Sequence, residues 1–115
     1  MITVYGIPNC DTVKKARAWL GTHGVEHTFH DFKKQGVPAA ELDQWLAALG
    51  WEAVVNRKGT TWRQLDEATR AGVADAASAR ALLLQHASAI KRPVVRWADG
   101  AFSVGFDADD WAKRL

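Results

Sequence analysis

Hydrophobic residues change their spacing several times along the chain, and each change predicts a new element. Ile2-Thr3-Val4-Tyr5 is a short β-prone run closed by Gly6, and Ile7-Pro8-Asn9-Cys10 reads as a loop. From Asp11 the spacing turns helical, with Val13, Ala16 and Leu20 on one face, and Gly21 and Gly24 end it. Val25 to Phe32 reads as a second strand. Pro38 opens a helix whose apolar residues Leu42, Trp45, Leu46 and Leu49 recur at i, i+3, i+4 and i+7, and Gly50 closes it. Arg57-Lys58-Gly59 is a loop, and Thr61-Trp62-Arg63-Gln64 matches a capping box, which predicts a short helix through Leu65 to about Thr69. A further helix is expected over Asp75 to Ala89, with Ala79, Leu82, Leu83 and Ile90 facing inward, and Arg92-Pro93 stops it. Val94-Val95-Arg96-Trp97 and Phe102-Ser103-Val104-Gly105-Phe106 flank Asp99-Gly100, a strong hairpin signal. Asp107 to Leu115 reads as a last helix, started by Asp107 or Asp109.

The order is β-α-β, then helices, then β-β-α. A right-handed crossover makes the first two strands parallel, and the hairpin adds an antiparallel pair. The expectation is an α/β domain covering residues 1–115, with a mixed four-stranded sheet and helices on both faces. This is the thioredoxin order, with a helical insertion at about 37–90 between the second and third strands.

Composition narrows the class. Hydrophobic residues at 48% and charged residues at 24% exclude a disordered or collagen-like chain. A net charge of +2 is too small to argue for a nucleic-acid or membrane surface. No apolar run approaches the ~20 residues of a membrane span. The N-terminal residues lack the features of a signal peptide, and Cys10 has no partner cysteine, so an internal disulfide is excluded and a reducing cytoplasm is expected. The six tryptophans lack an interleaved basic stripe and read as core and rim rather than as a base-stacking platform.

Cys10 is the candidate nucleophile. It sits where a strand-loop gives way to a helix, and free N–H groups and the helix dipole there favour a thiolate. Lys14, Lys15 and Arg17 act in the same direction, whereas Asp11 opposes. Val13 stands where the second cysteine of a Cys-x-x-Cys would be, so turnover requires an external thiol. Arg57 and Arg92 lie in or beside loops, and arginine suits bidentate oxyanion binding. Arg92 also precedes Pro93, which allows a cis bond facing the cysteine. His23, His27 and His30 do not read as a metal site: the helix ends between the first two, and the last two alternate across strand faces.

The segment from Tyr5 to Arg17, with Pro8-Asn9-Cys10-Asp11-Thr12 at its centre, resembles the arsenate reductase (ArsC)/Spx family, in its YffB-like branch. The resemblance continues through Asn56-Arg57-Lys58-Gly59-Thr60-Thr61 and Ile90-Lys91-Arg92-Pro93-Val94 to Val104-Gly105-Phe106. It implies a thioredoxin-like fold, a nucleophile at Cys10, oxyanion-holding arginines at Arg57 and Arg92 near it, and a structural cis-proline at Pro93. Asn9 and Lys14 join the expected anion- and glutathione-binding set. The implied function is a glutathione-dependent thiol reductase forming a mixed disulfide at Cys10. It would be cytoplasmic and monomeric, with glutathione as co-substrate, glutaredoxin as a possible partner, and no metal or tightly bound cofactor. Gly105 stands where the arsenate pocket supplies a third arginine, which predicts poor arsenate reduction. Two alternatives use the same residues: a glutaredoxin-linked arsenate reductase, and an Spx-like RNA-polymerase-binding regulator without a redox switch.

Overall fold

A computed structural model describes all 115 residues. In chain order the elements are β1 (Ile2–Gly6), α1 (Asp11–Thr22), β2 (His27–Asp31), α2 (Phe32–Gln35), α3 (Ala39–Leu49), α4 (Trp51–Val54), α5 (Thr60–Gln64), α6 (Glu67–Ala71) and α7 (Ala76–Gln85). A 3-10 turn at Ala87–Ala89, β3 (Val94–Arg96), β4 (Phe102–Val104) and α8 (Ala108–Arg114) complete the chain. The chain forms two compact units. One joins Met1–Gln35 to Arg92–Leu115, and the other is Gly36–Lys91.

The first unit carries the sheet, in the order β2-β1-β3-β4. β1 runs parallel to β2 and antiparallel to β3, and β3 runs antiparallel to β4. This is the mixed four-stranded sheet that the strand order predicts. Ile2 and Val4 of β1, Val95 of β3 and the adjacent Trp97 form one buried cluster with Ala16 and Leu20 of α1 and Trp111 of α8. Trp111 is the only buried residue of α8, and it meets Trp97, Phe106 and Trp19 edge-on, with centroids 5.1, 4.8 and 5.8 Å away. Edge-to-face pairs contribute about 0.5–1.5 kcal/mol each beyond the area they bury, so one side chain suffices to dock this short helix. At the other end of the cluster, Gly6 lets α1 approach β1. A Cβ built there would lie 2.8 Å from Val13 Cγ2.

Several boundaries differ from the periodicity reading, each for a visible reason. β2 starts at His27, because the Val25 N–H donates to Leu20 O (2.9 Å) and the Gly24 N–H to Gly21 O (3.1 Å). With Gly24 at φ +67° these bonds form a Schellman motif, so Val25 still belongs to the helix end. The hairpin turn is not a two-residue Asp-Gly turn. Only Gly100 has a positive φ, and Trp97 and Ala101 close a three-residue loop through a 2.8 Å bond. Asp107 caps α8 by accepting from the N–H groups of Asp109 and Asp110.

In the second unit, α3 buries Leu42, Trp45 and Leu46 and contacts α4 and α7. α7 buries Ala79, Leu82 and Leu83. The expected single helix from Thr61 to about Thr69 is two helices, and the Thr61-to-Gln64 capping box is not formed. Gly59 is the N-cap of α5, with no side-chain bond. Asp66 breaks the run by accepting from Thr69 N–H (2.7 Å) and starting α6. The capping box of this unit is instead at Asp75 and Ser78, which opens α7. α7 stops at Gln85, short of Ala89, and the 3-10 turn carries the chain onward.

Candidate active site

β1 ends at Gly6, and the buried Ile7 anchors the loop that follows. The Cys10 N–H donates to Ile7 O at 3.1 Å, closing the turn over Pro8 and Asn9, and Cys10 O accepts from the Lys14 N–H at 2.9 Å. Cys10 is therefore the N-cap of α1, in extended conformation with φ −79° and ψ 125°. Its side chain makes no capping bond, so the first-turn N–H groups around the sulfur have no side-chain acceptor. Cys10 is half-buried, while Asn9, Asp11 and Lys14 are exposed. Val13 is fully buried, against the end of β1.

Arg92 and Pro93 enter the same end of the sheet from the other side. Val94 pairs with Tyr5, which places Pro93 opposite the last residue of β1. The Arg92-Pro93 bond is cis, Arg92 is half-buried and Pro93 is buried. Pro93 O accepts the Gly105 N–H at 2.9 Å, and Gly105 has φ +78°. The first unit thus gathers Asn9, Cys10, Lys14, Arg92 and Pro93 at one sheet end.

Arg57 belongs to the helical unit. It follows a backbone pairing in which Val55 bridges Ile90, the Asn56 N–H donates to Ala89 O and the Lys91 N–H to Val54 O, both at 2.8 Å. Its guanidinium lies 3.6 Å from Glu52 and 5.8 Å from the Trp51 ring centroid. Asn56, Arg57, Lys58 and Lys91 line a polar cavity of about 170 Å³ together with Glu52. From sequence alone Lys58 and Lys91 read as solvated charges, the usual state of a single lysine in a mixed surface.

Asp31 is a buried carboxylate at the end of β2, level with Gly6. Its Oδ1 accepts the Lys33 N–H at 2.8 Å, so it serves the turn into α2. His23 stacks on Trp19 at 3.9 Å, and His27 Nε2 accepts from Arg17 Nε at 3.3 Å. No helix is long and apolar enough to cross a membrane.

The model of the ArsC family matches residues 5–114. The chain is 42% identical over 111 residues, 96% of each chain, to an uncharacterised protein of Haemophilus influenzae. It is 26% identical over 116 residues to the global transcriptional regulator Spx of Streptococcus pyogenes, covering 96% of this chain and 81% of that one. Among solved structures, a YffB protein superposes with a TM-score of 0.94 at 47% identity, covering 100% of this chain and 99% of its own. An arsenate reductase (ArsC) related protein from Brucella melitensis superposes with a TM-score of 0.76 at 51% identity, over 97% and 92%. The fold is accordingly thioredoxin-like.

Proposed function

The chain belongs to the ArsC family, and on that premise we propose that it is a cytoplasmic, glutathione-dependent thiol reductase with Cys10 as its one nucleophile. The observation that carries this reading is the half-buried Cys10 at an N-cap with no side-chain capping bond, at the same sheet end as Arg92 and the cis Pro93. The Cys10 thiolate attacks one sulfur of a disulfide R–S–S–R′. The Cys10–S–S–R bond forms, and R′–S⁻ leaves with the electron pair of the broken bond. A glutathione thiolate then attacks the R sulfur, which gives the mixed disulfide of R with glutathione and restores the Cys10 thiolate. A second glutathione releases R as a thiol and ends as oxidised glutathione. Two glutathione thiols supply the two electrons.

Arginine in this reading holds the anionic groups of the substrate. Arg92 does so from the start of β3, and the family match implies an anion-holding role for Arg57 as well. Asn9 and Lys14 flank the nucleophile and contribute polar contacts. The enzyme works as a monomer without a tightly bound cofactor, and glutaredoxin is a candidate partner in recycling. A second reading takes arsenate as substrate, and the 51% identity to an arsenate reductase related protein favours it. Gly105 opposes it, since a side-chain donor is absent there.

Intact-mass analysis after incubation with oxidised glutathione tests the leading reading. One glutathione adduct is expected on the parent and none on Cys10→Ser. An unmodified parent, or an adduct retained in Cys10→Ser, overturns it. Arsenate turnover with glutathione and glutaredoxin, at the rate of a three-arginine relative assayed alongside, promotes the second reading.

A further inference from the structure

The outward side of α1 carries charges that the fold leaves without opposite partners. Lys14, Lys15 and Arg17 are exposed there, and Asp11 is the only acid of the helix. The three ion pairs of the chain, Arg57–Glu52, Arg80–Asp43 and Arg114–Asp110, all lie elsewhere. Helical spacing sorts the charges of α1 into two rows. Asp11 and Lys15 stand at i and i+4 and offset one another. Cys10, Lys14 and Arg17 stand at i, i+4 and i+7, so the sulfur heads a row with two cations and no acid.

Arg17 is fixed in place. Its guanidinium lies 4.2 Å from the centroid of the Phe29 ring, and its Nε–H donates to His27 Nε2 at 3.3 Å. Phe29 in turn packs against the buried cluster beneath α1. The η nitrogens of Arg17 have no carboxylate partner. A guanidinium held in this way loses little freedom when an anion reaches it. At about 1.5 Å of rise per residue, Lys14 and Arg17 lie about 6 and 10 Å along the axis from Cys10. An extended polypeptide advances about 3.3 Å per residue, so these distances span about two to three of its residues.

We propose that the row of Cys10, Lys14 and Arg17 docks an acidic polypeptide segment, whose disulfide-bonded cysteine meets Cys10 and whose Asp or Glu residues, two to three positions away, meet Lys14 and Arg17. This rests on the reductase reading and names its substrate class: R of the disulfide R–S–S–R′ is an acidic polypeptide. Cys10 bonds to the cysteine sulfur of that segment, R′–S⁻ leaves with the electron pair of the broken bond, and glutathione completes the cycle as above. Asp11, beside the sulfur, repels an acid next to the substrate cysteine and so favours acids farther along the row. Duplex DNA fits this row less well, since it carries one charge per about 1.7 Å against two cations in about 10 Å.

Binding is tested apart from chemistry, by amide chemical-shift titration of the whole chain carrying Cys10→Ser. The probe is a short peptide with serine in place of its cysteine and Glu two and three positions beyond it. The same peptide with Gln for Glu, a short DNA duplex and S-methylglutathione serve as comparisons. The acidic peptide is expected to give saturable shifts over Asp11 to Ala18 and to bind about three- to tenfold more tightly than its Gln counterpart, an advantage that shrinks at high salt. Arg17→Gln and Lys14→Gln should each remove about two- to fivefold of it. Equal binding of the two peptides, an advantage that survives both variants, or tighter binding of the duplex overturns the proposal. So does an S-methylglutathione affinity equally sensitive to Arg17→Gln, since the row would then serve the small thiol. A parent that takes up no glutathione while Cys10→Ser still binds the acidic peptide refutes the reductase reading and not the docking row. Glutathione uptake without preference for the acidic peptide refutes the row alone.

Discussion

Replacing Gly105 separates the demands of the backbone from those of the proposed oxyanion site. The residue has φ +78°, and its N–H donates to Pro93 O at 2.9 Å, directly after Arg92. Any side chain leaves that hydrogen bond available but must adopt the left-handed conformation. That conformation costs a residue with a Cβ about 1–2 kcal/mol. Removing glycine from the unfolded chain returns about 0.4–1 kcal/mol. The expected net loss is about 1 kcal/mol, a fall in Tm of roughly 4–8 °C for a domain near this size. Because the cost lies in the backbone, Gly105→Ala and Gly105→Arg should lose the same amount within about 0.5 kcal/mol. Urea denaturation of the three proteins measures this. A Gly105→Ala variant as stable as the parent refutes the backbone argument, and a much larger loss for arginine alone points to a steric clash instead. Arsenate turnover adds the functional half. A charged donor contributes about 1.5–3 kcal/mol, so Gly105→Arg should exceed Gly105→Ala. Equal turnover would falsify the account of Gly105 as the missing donor.

Other substitutions probe the supports of the site. Gly6→Ala forces a Cβ to within 2.8 Å of Val13 Cγ2, and a loss of about 1–3 kcal/mol is expected by chemical denaturation. The double variant with Val13→Ala should recover part of it, and strict additivity would show that the two positions do not meet. Burial and, secondarily, the Arg17 guanidinium hold His27 below its ordinary value of 6.5. The folded chain thus resists protonation there. Its contribution to stability is full above that ordinary value and declines as pH falls through it toward the lowered folded value. Denaturation curves from about pH 8 to about pH 5 should show the decline, and His27→Gln should flatten it. Hydrogen bonds from Thr69 and from Ser78 hold the carboxyls of Asp66 and Asp75 below the usual range. The stability of α6 and α7 should therefore be intact above the ordinary carboxylate range and fall in acid below it. Asp75→Asn, which keeps a cap without a charge, should remove the α7 share of that acid loss in helix content by circular dichroism.

The strand-loop-cysteine-helix junction was legible because its signals agree. Ile2 to Tyr5 are a β-prone run, Gly6 and Pro8 punctuate, and Val13, Ala16 and Leu20 repeat at helical spacing and are all buried. The end of α1 was less so, since Val25 looks β-prone and only three-dimensional bonding shows its N–H committed to Leu20. The division of Thr60 to Ala71 was hidden by two rival caps. Thr61 and Gln64 have the right identities, but the Asp66 carboxylate captures Thr69, and a residue cannot both continue one helix and cap the next. At the site, Cys10 and Arg92-Pro93 could be placed from local order and strand pairing. The loose engagement of Arg57 with Glu52 and Trp51 could not be, because i−5 and i−6 neighbours meet only across the break between α4 and the following loop.

The central ladder of the sheet joins Thr3 to Arg96, so nearly the whole chain must loop back before β1 meets β3. The entropy of closing a loop rises with the logarithm of its length, and short closures such as the Trp97–Ala101 turn are favoured first. The β1-α1-β2 crossover and the β3-β4 hairpin can each form from nearby residues. Their union depends on the most remote pairing in the fold. A chain still emerging during synthesis can therefore present Cys10 at the head of α1 long before Arg92 and Pro93 arrive beside β1. The thiol belongs to an early-forming segment and its arginine to a late one. On the function proposed above, anion recognition at this sheet end would await the finished chain, whereas the cysteine stands at the head of α1 as soon as the crossover forms.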